Sequence, residues 1–200
     1  MVFETIFEPK LHYARRKILK KRKIYILLIS FPDTGSKVIR AMKSCYYTHA
    51  SIGLEEDLNT FYSFVTKGFI VEKLTKYLKP DREPFPCKLY ELEVSEKVYE
   101  SVKKLLAFYV EFKHLWHYAK LGLALSLLKI PYKKNRFGYF CSQFVAEILI
   151  ASEAAKLKKS SKAYFPEDFG RLPEAKLKCE GDILTVINYF GLLQANFNEK

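Results

Sequence analysis

The strongest constraint on this chain is a short run near its N-terminal end, Lys23-Ile-Tyr-Ile-Leu-Leu-Ile-Ser30. It is apolar, rich in β-branched residues and closed by the turn-prone Pro32-Asp33-Thr34-Gly35. Such a run reads as a buried strand. It is far shorter than the ~20 residues that a membrane-spanning helix requires. A buried strand needs partners, and the chain supplies them. His49-Ala-Ser-Ile-Gly-Leu54 and Thr60-Phe-Tyr-Ser-Phe-Val65 flank the polar Glu55 to Asn59, as two antiparallel strands around a turn do. Phe69 to Glu72 and Cys87 to Val94 are further strand candidates, with Pro80, Pro84 and Pro86 between them.

Helical spacing appears in four places. Ser36 to Ser44 suits a short amphipathic helix capped near Thr34 or Ser36. After Ser95, a candidate N-cap, the residues Val98, Val102, Leu105, Leu106, Tyr109 and Phe112 recur at three and four positions, as one buried face requires. Tyr118 to Leu128 predicts a second apolar helix, stopped by Pro131. Cys141 opens a third, with Phe144, Val145, Ile148 and Leu149 facing the core. Asp182 to Ile187 reads as a return to strand. Strands, then helices, then a strand give the α+β class, with a small antiparallel sheet packed against helices.

With 200 residues, 49% of them hydrophobic, the chain can enclose one substantial core. Aromatics at 16% exclude a low-complexity or disordered chain. Ile24 to Phe31 is followed by no small-residue cleavage site, so the expected location is cytoplasmic. Cys45, Cys87, Cys141 and Cys179 are too widely spaced for a CxxC site and do not suggest a disulfide framework. The formal charge of +12 is concentrated. Eight basic residues and no acid lie between Lys10 and Lys23, and the rest of the chain holds 26 basic against 22 acidic residues. Residues 1–22 therefore read as a basic N-terminal arm and 23–200 as one domain. Such an arm can contact an anionic membrane or nucleic acid, or simply be solvated.

Cys141, in Tyr139-Phe-Cys-Ser-Gln-Phe-Val-Ala-Glu147, carries the clearest chemistry. A thiol in the first turn of a helix lies beside unpaired N–H groups and the positive end of the helix dipole. Both favour the thiolate, which is the nucleophilic form. Its base would be a histidine, and His49 opens an apolar strand that can hold the ring rigidly. A third group should orient that ring. Folding the hairpin about Glu55 to Asn59 brings Tyr62, Ser63 and Phe64 opposite His49 to Ser51, so Ser63 is the candidate. His114 and His117 lack companion ligands for zinc and read instead as part of a helix packed around Trp116. No phosphate-binding loop, GxGxxG fingerprint or GxSxG elbow occurs, and no cofactor is expected.

Taken together, Tyr47-Thr-His-Ala-Ser-Ile-Gly-Leu54, Phe61-Tyr-Ser-Phe64 and Tyr139-Phe-Cys-Ser-Gln-Phe-Val-Ala-Glu147 resemble the circularly permuted branch of the NlpC-like papain-fold hydrolases. That branch includes the YiiX/YebB-like proteins and is related to the lecithin retinol acyltransferase group. The likeness spans roughly Lys23 to Ile187 and includes the turn Thr34-Gly35-Ser36. Permutation accounts for a histidine strand that precedes the cysteine helix. The resemblance implies a papain-like fold, Cys141 as nucleophile, His49 as base and a polar third residue on the following strand, to which Ser63 is the nearest match. It implies a cysteine hydrolase acting through an acyl-enzyme on a peptide or acyl substrate, such as a cell-wall peptide. The alternatives are a non-catalytic binding module and a lipid acyltransferase or thioesterase at a membrane surface.

Overall fold

The computed structural model describes residues 21–32, 36–37, 40–41, 45–78, 83–133 and 136–195. Its centre is the predicted strand, β1 (Lys21–Ile29). The side chains of Ile24, Ile26 and Leu28 enter one apolar cluster, and those of Tyr25, Leu27 and Ile29 enter another on the opposite face. Burial on both faces explains why this run is continuously apolar rather than alternating.

β1 pairs antiparallel on one side with β2 (His49–Leu54) and on the other with β5 (Pro86–Ser95). β3 (Asp57–Val65), β4 (Gly68–Lys73) and β8 (Ala175–Asp182) extend these into an antiparallel six-stranded sheet of order β4-β3-β2-β1-β5-β8. α1 (Glu96–Glu111) and α3 (Cys141–Ala151) cover the first face. α4 (Ile183–Tyr189) and the 3-10 turn Leu74–Tyr77 cover the second. β6 (His117–Tyr118) pairs with β7 (Gly138–Tyr139) in a two-stranded parallel unit, α2 (Lys120–Leu127) lies between them in sequence, and α5 (Leu192–Ala195) follows α4. The fold is α+β, with a six-stranded antiparallel sheet and several helices.

Several expectations are met locally. Ser95 caps α1, its hydroxyl accepting from the Val98 N–H at 3.3 Å. Tyr99, Val102, Leu106 and Tyr109 form the buried face of that helix. Two differ. The stretch from Asp182 is not a strand. The strand lies just upstream, at Ala175–Asp182, and Ile183–Tyr189 is helical because the Asp182 carboxylate accepts from the N–H and hydroxyl of Thr185. Ile183, Val186 and Ile187 then fall on one buried helical face. The segment around His114 and Trp116 is a 3-10 turn followed by β6, not a regular helix, although Trp116 does pack among Tyr109, Phe137 and Tyr139.

Residues 1–20 of the basic arm and Asp33 to Gly35 of the first turn lie outside the described residues. Of the predicted helix at 36–44, the described Ser36, Lys37, Arg40 and Ala41 are helical. The last three residues of the basic run belong to β1, and each is matched by acid. Lys21 pairs with Glu93, and Lys23 pairs with Glu91. The almost fully buried Arg22 meets Glu55, Glu56 and Glu96 and lies 3.8 Å over the Tyr99 ring.

The core between β3 and α3 centres on Phe64, which is fully buried and packs against Phe69, Tyr109, Tyr139 and Phe144 at centroid distances of 5.2–6.3 Å. Removing such a ring takes away both transfer energy and packing. Phe64→Ala is expected to lower unfolding stability by about 3–5 kcal/mol in urea titrations. Val71→Ala, at a 45% exposed position on β4, should leave the midpoint nearly unchanged.

Candidate active site

Cys141 is the first residue of α3, and the preceding Phe140 has extended backbone. The first intrahelical bond runs from the Phe144 N–H to the Phe140 carbonyl. The N–H groups of Cys141, Ser142 and Gln143 therefore have no acceptor within the helix, and no side chain caps it. α3 lies across β2 and β3, which brings its N-terminus to the start of β2. There the Cys141 sulfur is 3.9 Å from the Thr48 carbonyl oxygen.

His49 opens β2, where it pairs with Ile29. Its ring packs against Phe31 at 5.4 Å, Phe31 packs on Phe85, and Phe85 packs on Tyr77. This aromatic wall leaves the imidazole almost wholly buried. His49 and Cys141 interact side chain to side chain, so the two residues singled out from sequence, 92 positions apart, are brought together.

Ser63 is buried in the neighbouring strand, and its hydroxyl donates to the Ala50 carbonyl at 2.6 Å. The turn is tighter than expected. Leu54 pairs with Asp57 across it, and an irregularity between Gly53 and Leu54 then shifts the register, so that Tyr62 lies opposite Ile52, one residue beyond the expected His49–Ser51 segment. The group that faces the imidazole is instead Glu72 on β4, its Oε1 3.8 Å from His49 Nε2. The other oxygen, Oε2, accepts from Lys76 Nζ at 2.5 Å and from the Tyr77 hydroxyl at 2.8 Å. His49 Nε2 and Glu72 Oε1 are both buried without a hydrogen-bond partner, and they face each other. Sequence reasoning missed Glu72. The available signal was a lone acid closing the otherwise apolar Phe69-Ile-Val-Glu72 strand.

Beside the N-terminus of α3, the Phe140 ring stacks on Phe165. Phe165, Tyr132, Lys159, Lys162 and Arg171 help to line a cavity of about 570 Å³. Gln143 is buried with neither amide atom partnered, and it lines a second cavity of about 440 Å³ under α2. No disulfide joins any of the four cysteines, and among the described residues no cluster of metal-ligating side chains occurs. No protein-family model matches the chain, and no curated protein matches it.

The electrostatics favour an ion pair. Burial pushes the His49 pKa down, but Cys141 and the Glu72 carboxylate outweigh it and raise the pKa to about 9. Burial pushes the Cys141 thiol up. The His49 ring and the backbone N–H groups of Ala50 and Ser142 bring it below its ordinary value. Glu72 follows the same pattern, with burial opposed and exceeded by His49 and Lys76, which hold its pKa at about 2. Cys87 and Cys179 are shifted upward by burial.

These shifts have signs that stability measurements can read. His49, raised on folding, contributes stability that is present below 6.5 and lost as pH rises through about 9. The depressed Cys141 thiol opposes that loss over the same range. Glu72 has no such counterpart. Its contribution is complete above 4.5 and is lost as pH falls through about 2. Urea midpoints measured between pH 6 and pH 2 should show wild type losing on the order of 3 kcal/mol through this group. Glu72→Gln should start lower and fall less steeply.

Proposed function

We propose that this chain is a cysteine hydrolase of amide or ester bonds, on a permuted papain-like fold, acting through Cys141, His49 and Glu72. The observation that carries the reading is a buried thiol at an uncapped helix N-terminus, interacting with an imidazole whose far nitrogen faces a buried carboxylate. The strand-then-helix order of His49 and Cys141, with α3 laid across β2 and β3, supports the permuted arrangement.

In this reading the His49 nitrogen nearer Cys141 is Nδ1, because Nε2 is turned toward Glu72. His49 takes the thiol proton, and the thiolate attacks the substrate carbonyl carbon. The N–H groups that open α3 stabilise the oxyanion. As the intermediate collapses, the imidazolium returns its proton to the departing amine or alcohol. Water, deprotonated by His49, then cleaves the thioester, releasing the acid and the free thiol. Glu72 takes the orienting position for which Ser63 was the expected residue, and a carboxylate stabilises the imidazolium better than a neutral hydroxyl does. The cavity beside Phe140 is a candidate space for a peptide or acyl substrate, its lining carrying both basic (Lys159, Lys162, Arg171) and acidic (Glu167, Asp168) side chains.

One observation favours a non-catalytic binding module instead. Cys141 and His49 are both more than nine-tenths buried, and neither lines the two cavities described above. Iodoacetamide labelling near pH 7, read by peptide mass spectrometry, separates the two readings. The hydrolase requires Cys141 to label fastest and His49→Ala to abolish that preference. It also requires incubation with a p-nitrophenyl ester to leave an acyl mass on Cys141. Equal, slow labelling of all four cysteines with no acyl adduct would favour the binding module. On a turned-over ester, Cys141→Ala should abolish activity and His49→Ala should cost roughly a hundredfold or more. Glu72→Gln should cost roughly tenfold or more, and Ser63→Ala should cost little.

A further inference from the structure

α2 is built the wrong way round for a helix of a soluble core. Its sequence, Lys120-Leu-Gly-Leu-Ala-Leu-Ser-Leu127, is strongly apolar, yet only Gly122 is buried. The inner side rests on Tyr132, where a Cβ at Gly122 would come within 3.2 Å of the phenol oxygen and where the Ser126 and Tyr132 hydroxyls bond. Leu121, Ala124 and Leu128, spaced at i, i+3 and i+7, point outward, with Leu121 73% and Leu128 57% exposed. Ile130 continues this apolar edge at 46% exposure.

The exposed charge along the apolar stripe itself is basic, while Glu167 and Asp168 line the cavity that Lys129 and Ile130 share, Asp168 there being paired with Lys159. Lys120, Lys129 and Lys133 are exposed at its margins, and the sequence holds no acid between Glu111 and Glu147. Through β6 and β7 the surface continues to half-exposed Phe108 and Phe137, which pack on either side of Trp116 at 5.9 and 5.7 Å.

We propose that α2 and its flanks are a docking face for an anionic lipid bilayer. The helix lies in the interface with its leucines in the acyl boundary and its lysines among the headgroups. Helices that lie on membranes combine an apolar face with a basic margin in this way, and the long lysine stems let the ammonium groups reach phosphate while the leucines insert. At eight residues α2 cannot span a bilayer, and among the described residues no helix is long and apolar enough to do so. A second copy of the chain is a poor occupant, since a two-fold contact through this face would set the same lysines against themselves. Nucleic acid would leave the leucines uncovered. The inference is independent of the hydrolase reading, because it uses no residue of the Cys141 site.

Trp116 is the sole tryptophan and reports on this face directly. The intact protein should co-sediment with phosphatidylcholine–phosphatidylglycerol vesicles and not with phosphatidylcholine alone, and its emission should shift to the blue on binding. Leu121→Asp and Leu128→Asp alter exposed side chains, so the variants should keep the wild-type circular dichroism while losing at least about tenfold in vesicle affinity. Lys120→Gln, Lys129→Gln and Lys133→Gln should each cost about fivefold. A variant with every basic residue from Lys10 to Lys20 changed to Gln should retain the Leu121-dependent binding and the shift. The proposal is overturned if the intact protein ignores anionic vesicles, if Leu121→Asp binds as well as wild type, or if the Lys10–Lys20 variant loses all binding. It is equally overturned if Leu121→Asp instead dissolves a concentration-dependent dimer.

Discussion

The demand that β1 be covered on both faces organises this protein. A strand buried on both faces needs partners at both edges and packed layers above and below. β2 and β5 supply the edges, α1 and α3 one layer, and α4 with the Leu74–Tyr77 turn the other. The basic residues that open β1 would oppose this arrangement if left unpaired. Glu55, Glu56 and Glu96 around Arg22, Glu93 beside Lys21 and Glu91 beside Lys23 allow the strand to start where it does. A run that resembles a free polybasic arm in the sequence is, at its last three residues, part of the domain's internal charge pairing.

The site is a by-product of the same layering. α3 must lie across β2 and β3 to bury Phe144, Val145, Ile148 and Leu149, and its N-terminus then falls where β2 begins. The thiol and imidazole meet there because one starts a helix and the other starts a strand. Burial alone would leave both neutral. The interaction of each with the other, the N–H groups around the sulfur and the Glu72 carboxylate reverse that preference.

Local chemistry was legible in the sequence wherever one segment decides its own structure. The Ser95 cap, the apolar periodicity of α1 and the Cys141 helix start depend on neighbours within a few residues, and they were read correctly. Asp182 was misread because Ile183 to Ile187 favours strand by composition, while a single side-chain cap makes it helical. Glu72 was invisible for a different reason. Its segment was recognised as a strand, but its position beside His49 depends on the β2–β3 and β3–β4 pairings together. Ser63 lies beside the His49–Ser51 segment as the hairpin predicts, but its hydroxyl is directed to the Ala50 carbonyl.

The place of Glu72 in the sheet has a further consequence. β4 is an outermost strand, bonded to β3 on one side only. Edge elements open more readily than the strands they flank. Lys76 and Tyr77, which hold the carboxylate, belong to the short turn that leaves β4, so strand and anchors would detach together. Fraying there would withdraw the carboxylate from His49 while β1, β2 and α3 stayed packed. The imidazole would then be buried without its counter-charge, and the thiol would revert toward its neutral form. The reactivity of Cys141 is thereby tied to one edge of the sheet, and local loosening there would abolish it before the domain unfolds.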